Sequence, residues 1–173
     1  MSHPVRKLYE NLYAQVGHYR QLVETLRLEH AALVDANYRG VQEAVAQKES
    51  LIVAIQRAEG ERLNVTAELA VDWNVAYESL SLTQIIHLQQ APERGDPKLA
   101  DQLQSVLNTL RVLVKKVAQQ NQDNSALVQA SMQHIEVMKR NVLGEPIQKS
   151  ETYTPQGMKK PGQPTSRFLT QEG

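Results

Sequence analysis

The apolar positions of the N-terminal region recur at alternating spacings of three and four residues. This spacing places them on one face of an α-helix, and its length indicates packing against a partner helix. Pro4 suits the first helical position, because the N–H that proline lacks would have no partner there. The pattern predicts one helix over residues 4–35, with these positions on its apolar face: Val5, Tyr9, Leu12, Val16, Tyr19, Val23, Leu26, His30 and Leu33.

A second long helix is predicted after a short turn. Residues 35–40 contain the cap and turn residues expected between two antiparallel helices. Gly60 lies inside this helix, but the flanking Glu59, Glu61 and Arg62 keep a helical composition, so Gly60 is interpreted as a weakened turn and not a break. The helix is expected to reach about residue 70. Its apolar face is predicted at Val41, Val45, Ile52 and Ile55, with Leu51 beside it.

The middle of the chain contains shorter signals that mark helix starts. Residues 72–81 leave open whether the second helix continues or the chain covers the end of a bundle. Ser81 and Gln84 have the spacing of a capping box, which predicts a short helix from there to about residue 90. Asp96 followed by Pro97 then supplies an N-cap and a first residue for the last helix.

The last helix is predicted over residues 97–143. Between Val117 and Asn121 its apolar face steps by four residues where three are expected, and such a stutter rotates the face that follows. The first half is therefore expected to complete a bundle, while the second half presents its face elsewhere. The predicted fold is all-α: an elongated antiparallel helical bundle or coiled coil of three long helices plus a short one, occupying residues 1–143.

The stretch from Asn121 to Gly144 is the candidate binding surface. Its apolar side chains recur at helical spacing, but Asn121, Asn124 and Ser131 interrupt the same face, which is typical of a surface that is covered conditionally. The alternative is that the stretch is the end of the bundle core, since apolar stripes are usually core.

Composition narrows the functional classes. The chain of 173 residues balances 19 Lys and Arg against 19 Asp and Glu without a basic cluster, so a nucleic acid is not an expected partner. No apolar run approaches the roughly 20 residues that a membrane span needs, and the N-terminus lacks the apolar segment of a secretory signal. The absence of cysteine permits a reducing compartment. These features predict a cytoplasmic protein without membrane insertion.

The sequence lacks the residue patterns of the common catalytic and metal sites. No histidine follows a glutamate by three residues, as a di-iron bundle requires, and no glycine loop suits a phosphate. His30 is interpreted as a tolerated interface residue, and Ser131 and His134 lack a carboxylate to orient them. We therefore predict no enzymatic activity, no metal site and no cofactor.

The tail, residues 144–173, has a different composition from the helices. It holds four of the seven prolines and four of the eight glycines, with few apolar residues. Such a segment buries too little surface to offset its ordering entropy, so it is expected to be flexible.

Three stretches together resemble the FlgN family of flagellar type III export chaperones for hook-associated (hook–filament junction) proteins. They are Lys48-Glu-Ser-Leu51 in the second helix, Asn121-Gln-Asp-Asn124-Ser-Ala-Leu127-Val128 in the last, and Tyr153-Thr-Pro-Gln-Gly157 in the tail. The resemblance covers nearly the whole chain, and the chain departs from it in the extension after Gly157.

The resemblance implies a non-enzymatic cytosolic protein that binds unexported hook-associated proteins, keeps them soluble and delivers them to the flagellar export gate, with possible contact to the export ATPase complex. It implies a client-binding region at about residues 118–143, and it assigns export-gate docking to Tyr153 and Gly157. A structural coiled coil that dimerises through its apolar faces is the alternative function, and a weak homodimer is compatible with either. The client-facing candidates are Asn124, Leu127, Val128, Ser131, Ile135, Met138 and Val142.

Overall fold

The computed structural model describes residues 4–91, 93 and 95–143, and every regular element in this part of the chain is helical. The helices are α1 (Pro4–Val34), α2 (Tyr38–Asp72), α3 (Leu82–Gln90) and α4 (Pro97–Leu143), with a 3₁₀ turn at Tyr77–Ser79 between α2 and α3. The chain divides into two compact units, residues 1–132 and 133–173. The predicted tail, residues 144–173, lies outside the described residues.

The ends of the helices follow local signals. Asn37 caps α2 by accepting a hydrogen bond from the Gly40 N–H. At α3 the predicted capping box is present, with Ser81 and Gln84 each accepting from the other's backbone N–H. Asp96 Oδ1 accepts from the N–H groups of residues 98 and 99 at the start of α4. These bonds satisfy amides that have no partner within the helix, which explains why the predicted starts of α3 and α4 are confirmed. Helix α2 begins at Tyr38, inside the stretch 35–40 that was expected to form the turn.

Within the first unit, α1 contacts both α2 and α4. The Asn11 side chain donates to the Ala58 carbonyl at 2.9 Å, and Lys48 of α2 reaches Glu29 of α1, so α1 and α2 are antiparallel. Side chains of residues 9–20 in α1 and 102–109 in α4 line a common groove, while Asn124 lies beside Leu26. Helices α1 and α4 therefore run parallel, and α2 and α4 run in opposite directions.

The main core lies at the end of this unit where α1 and α4 begin. There α1 and α4 pack with the end of α2 and with α3, and the buried members include Val5, Leu8, Leu12, Leu69, Ile85, Ile86, Leu99, Leu103, Val106 and Leu110. Further along, a smaller cluster is formed by Leu22, Leu26 and Leu51, with Ile55 and Val117 packed against it.

The face of α2 that packs on α1 differs from the expectation. Its buried positions in the first half of the helix are Ala44, Leu51 and Ala58, at heptad spacing, whereas Ile52 is exposed. Alanine at two of these three positions allows the helix backbones to approach closely, and the predicted Leu51 is buried with them. The predicted positions Val41, Val45 and Ile55 are half-buried.

A polar cluster accompanies the contact between α1 and α2. Arg62 donates to both carboxylate oxygens of Glu59, and this hydrogen bond lowers the pKa of Glu59 against the opposing effect of partial burial. The same bond raises the pKa of Arg62. Partial burial raises the pKa of the Tyr19 hydroxyl, and the charge of Glu59 adds to that effect.

Candidate functional site

A buried polar network joins the three long helices at Asn124. The Asn124 amide nitrogen donates to the Leu26 carbonyl and to Glu29 Oε2, both at 3.0 Å. Its Oδ1 lies 2.9 Å from His30 Nδ1, and because an amide oxygen only accepts, the histidine nitrogen is the donor. Lys48 of α2 donates to the other Glu29 oxygen at 2.7 Å. One asparagine thus links α4 directly to α1 and, through Glu29, to α2.

We expect the network to select the register of the helices, since its directional bonds form at one alignment only. Asn124 is 4% exposed and Glu29 is 6% exposed, so both are buried polar groups whose partners compensate the loss of water. A buried asparagine at a coiled-coil interface position characteristically selects register in this way.

Asn124 therefore has surroundings that differ from those expected of a client-facing residue. Both ends of its side-chain amide are bonded within the bundle. It is not available to a partner in this conformation, and we assign it a positioning role. The neighbouring Asn121 is exposed.

The turns of α4 that follow Asn124 in the first unit expose apolar side chains. Leu127 is half-buried, Val128 is 42% exposed and Met132 is 60% exposed. Ser131 is also exposed. Three of the predicted candidates, Leu127, Val128 and Ser131, are therefore at least partly accessible in this segment.

The described part of the second unit, residues 133–143, is helical, and all of its residues are exposed. The predicted candidates Ile135, Met138 and Val142 are exposed by 55%, 52% and 77%. At about 100° per residue their spacings of three and four keep them on one side of the helix. Val137 is 47% exposed and falls on the opposite side, which makes it a natural comparison.

Sequence reasoning recognised Asn124 but missed its partner Glu29 and the bond from Lys48 to Glu29. A signal was present, because His30 and Asn124 are polar residues at predicted interface positions of two different helices. Polar groups that are buried together in a coiled coil bond to one another. The correct alignment of α1 with α4 would have been needed to pair them from sequence.

The described part of the chain offers little support for a metal site or a membrane span. Within residues 4–91, 93 and 95–143, no three His, Asp or Glu side chains are grouped as a metal ion would need. None of the helices in that part is long and apolar enough to cross a bilayer. The predicted docking residues Tyr153 and Gly157 lie outside the described residues.

Comparison with protein families gives a match that spans most of the chain. The family model described as FlgN protein matches residues 1–161. The chain belongs to the FlgN family. Separate comparisons with curated proteins and with solved structures found no match.

Membership of the FlgN family supports the general role of a flagellar export chaperone that binds flagellar proteins. The family is a chaperone family and is not known to be enzymatic. An all-α fold with long amphipathic helices agrees with this role.

Proposed function

We propose that this chain binds hook-associated flagellar proteins in the cytoplasm, keeps them soluble, and delivers them to the flagellar export gate. The observation that carries the proposal is the set of exposed apolar side chains in α4 after Asn124. A soluble protein rarely exposes such a row without a binding role. The proposed client-binding residues are Leu127, Val128, Ser131, Ile135, Met138 and Val142.

A client helix fits this surface better than an extended strand. Apolar side chains at spacings of three, four and seven residues are the pattern that receives the apolar face of another helix. Fully burying a side chain such as Ile135 or Met138 contributes about 1.5 to 3 kcal/mol, whereas association costs on the order of 4 to 15 kcal/mol. Ile135, Met138 and Val142 alone therefore give weak binding, and a tight complex needs further contacts.

The test introduces charge on this side of α4. In the double variant Ile135→Asp with Met138→Asp, we expect the affinity for a purified hook-associated protein to fall by roughly two to four powers of ten, because two apolar contacts are lost. Val137→Asp is the matched control, since it places the same charge on the opposite side. Calorimetric titration measures the affinity, and circular dichroism measures the helical content.

The proposal requires the double variant to keep its helical content and to lose the client, while Val137→Asp retains it. Unchanged binding by the double variant would show that the client uses another surface. A large loss of helicity would instead identify Ile135 and Met138 as structural residues.

Delivery to the gate is proposed to depend on Tyr153, with Gly157 in the same tail motif. We expect Tyr153→Ala to slow export of the hook-associated protein in cells while client binding and unfolding temperature stay unchanged. Secretion is measured by the amount of client in the culture supernatant. A normal export rate in the variant would remove Tyr153 from the mechanism.

The exposed side of α4 would also suit pairing between two copies, as in a structural coiled coil. Light scattering separates the two functions. A monomer that forms a one-to-one complex with a hook-associated protein supports the chaperone. A dimer that persists on dilution and is dissociated by the Ile135→Asp and Met138→Asp substitutions supports the scaffold.

A further inference from the structure

A shallow cavity of about 190 Å³ opens where the connection after α2 meets α3. We call this cavity, together with the neighbouring acidic residues Asp72 and Glu78, the corner surface. It lies within the first unit. Two apolar residues of the cavity are exposed, Val75 by 38% and Leu88 by 45%, whereas Leu80 is only 7% exposed. The complete lining is Val75, Ser79, Leu80, Gln84, His87 and Leu88.

Helix α3 is held in place, so its outer side has a defined orientation. Ile85 and Ile86 are 0% and 4% exposed in the main core, and the capping box holds the start of the helix. Gln84, His87 and Leu88 are exposed at spacings of three and four, which places them on the other side of α3. The cavity is therefore formed before any partner arrives.

The size of the cavity suits one large apolar side chain, since an engineered apolar cavity of about 150 Å³ holds benzene. A side chain placed there would cover Val75 and Leu88 and remove their apolar surface from water. Two more exposed apolar residues, Val71 at 80% and Tyr77 at 42%, lie in the same part of the chain. A partner of this surface is therefore expected to present apolar side chains.

The charges in this part of the chain have one sign. Between Arg62 and Glu93 the sequence contains no lysine or arginine, but it contains Glu68, Asp72 and Glu78. Glu68 forms an ion pair with Lys7 of α1 at 3.7 Å. Asp72 and Glu78 are exposed and form no ion pair with the described residues. Two negative charges are therefore left without a cation.

Both of these carboxylates adjoin the cavity. Glu78 directly precedes the lining residue Ser79. Asp72 comes three residues before Val75, in a turn closed by a bond from the Val75 N–H to the Ala70 carbonyl at 3.0 Å. Asp72 also ends α2, whose last turn contains no basic residue. Because the C-terminus of a helix carries partial negative charge, a cation supplied by a partner would stabilise this end of α2.

We infer that the corner surface binds a basic amphipathic helix of a second protein, with an apolar side chain in the cavity and lysine or arginine beside Asp72 and Glu78. The acidic rim disfavours nucleic acid and anionic lipid, since both carry negative charge. An extended peptide is commonly bound at the edge of a sheet, and the described residues form no strand. A helix can present cations on both sides of an apolar face.

This surface is separate from the proposed client surface, and the inference does not rest on the proposed chaperone function. The corner surface adjoins the main core, to which Leu80 and Leu99 belong. Val128 lies about 45 Å further along α4 than Pro97, at 1.5 Å per residue. Binding of a basic helix at the corner therefore leaves the exposed side of α4 free.

The test uses Trp73, which is the single tryptophan of the chain and packs against the main core next to Asp72. Two short peptides without tryptophan have leucine at the same helical positions and either lysine or glutamate at the others. We expect the Leu–Lys peptide to change the Trp73 fluorescence to saturation, and the Leu–Glu peptide to bind at least about tenfold more weakly. Added salt should weaken the Leu–Lys complex, because exposed charges are screened.

Matched variants separate the contributions of charge and apolar contact. Asp72→Lys with Glu78→Lys should weaken the Leu–Lys peptide about tenfold or more and favour the Leu–Glu peptide. Asp35→Lys with Glu49→Lys makes the same change in net charge at exposed positions elsewhere and should keep the natural preference. Leu88→Ala should weaken the Leu–Lys peptide about fivefold, whereas Leu28→Ala, at a position 46% exposed, should not.

The inference is overturned if both peptides bind equally, if the Leu–Lys peptide leaves Trp73 fluorescence unchanged, or if the Asp72→Lys, Glu78→Lys variant binds as the natural chain does. A change in Trp73 fluorescence with the concentration of the chain alone would also overturn it, because a second copy would then cover the surface. Circular dichroism of each variant checks that its helical content is retained. Failure of these tests leaves the proposed chaperone function intact, since client binding is measured separately.

Discussion

Two regions of α4 have similar apolar spacing and opposite surroundings. Between residues 99 and 110, the apolar side chains at this spacing are buried against α1, α2 and α3: Leu99, Leu103, Val106 and Leu110. Between residues 128 and 142 the corresponding side chains are exposed. Helical spacing therefore predicts which residues share a face, but the neighbouring elements decide whether that face is core or surface.

Asn124 marks the change between these regions. It is the last buried residue of α4 within the described part of the chain, and its bonds to α1 are polar. Apolar packing stabilises the helix before this point. After it, the same kind of side chain remains available to a partner, and this availability is the physical basis of the proposed chaperone function.

The largest expected effect is on the free energy of unfolding, when a leucine is replaced by alanine in each of the two regions. Leu103→Ala removes a side chain that is 1% exposed, so we expect it to lower the free energy of unfolding by about 2 to 5 kcal/mol. Leu143→Ala, at a position 61% exposed, should change it by less than about 0.5 kcal/mol. Urea unfolding followed by circular dichroism measures both.

Equal losses from the two leucine variants would contradict the comparison, because they would mean that the end of α4 is packed as firmly as its beginning. A small loss at Leu103 alone would indicate that the core around Ile85 and Leu99 collapses into the vacated space.

The next largest effect on stability is expected at Asn124, the boundary between the two regions of α4. Asn124→Ala leaves the buried Leu26 carbonyl and Glu29 with fewer donors, so we expect a loss of about 1 to 3 kcal/mol in the free energy of unfolding. Asn121→Ala, one turn earlier and exposed, is the control and should be nearly neutral. The same urea titration measures both variants.

If Asn124→Ala proves as stable as the natural chain, the network does not hold α4 in register. Client binding adds a second readout. A positioning role predicts that the Asn124→Ala variant still binds the hook-associated protein, because Asn124 itself does not contact the client.

The helices themselves were predictable because their signals are local. The bounds of α1 and α4 follow from Pro4, from the Asp96-Pro97 pair and from long apolar repeats, and the start of α3 follows from the Ser81 capping box. Each of these signals acts through bonds within one turn of helix, so no knowledge of the neighbouring helices is needed.

Which helix faces pack against each other was harder to predict from the sequence. Helix α1 buries a second face, including Gln15, Thr25 and Glu29, which looks like a solvated face until α2 is placed against it. The contact made by Ala44 and Ala58 is similarly hidden, because alanine carries little hydrophobic signal. The polar network depends on the alignment of distant segments, which local patterns do not specify.

The smallest expected effect on stability comes from two ion pairs that have the same spacing and distance but different exposure. Glu24–Arg27 and Glu59–Arg62 are both three residues apart with N···O distances of 2.6 Å, but the Arg62 side chain is 18% exposed and that of Arg27 is 59% exposed. We expect Glu59→Gln to lower the free energy of unfolding at neutral pH by about 0.2 to 1 kcal/mol. Glu24→Gln should have less effect.

The pH dependence identifies the origin of this difference. Arg62 lowers the pKa of Glu59 in the folded chain, so its stabilisation is present above the pKa of the unfolded chain and is lost as pH falls through the folded value. Natural and Glu59→Gln chains should therefore converge in stability as the solution is acidified. Urea unfolding at a series of acidic pH values measures this, and a gap that stays constant would assign the effect to packing of the side chain and not to its charge.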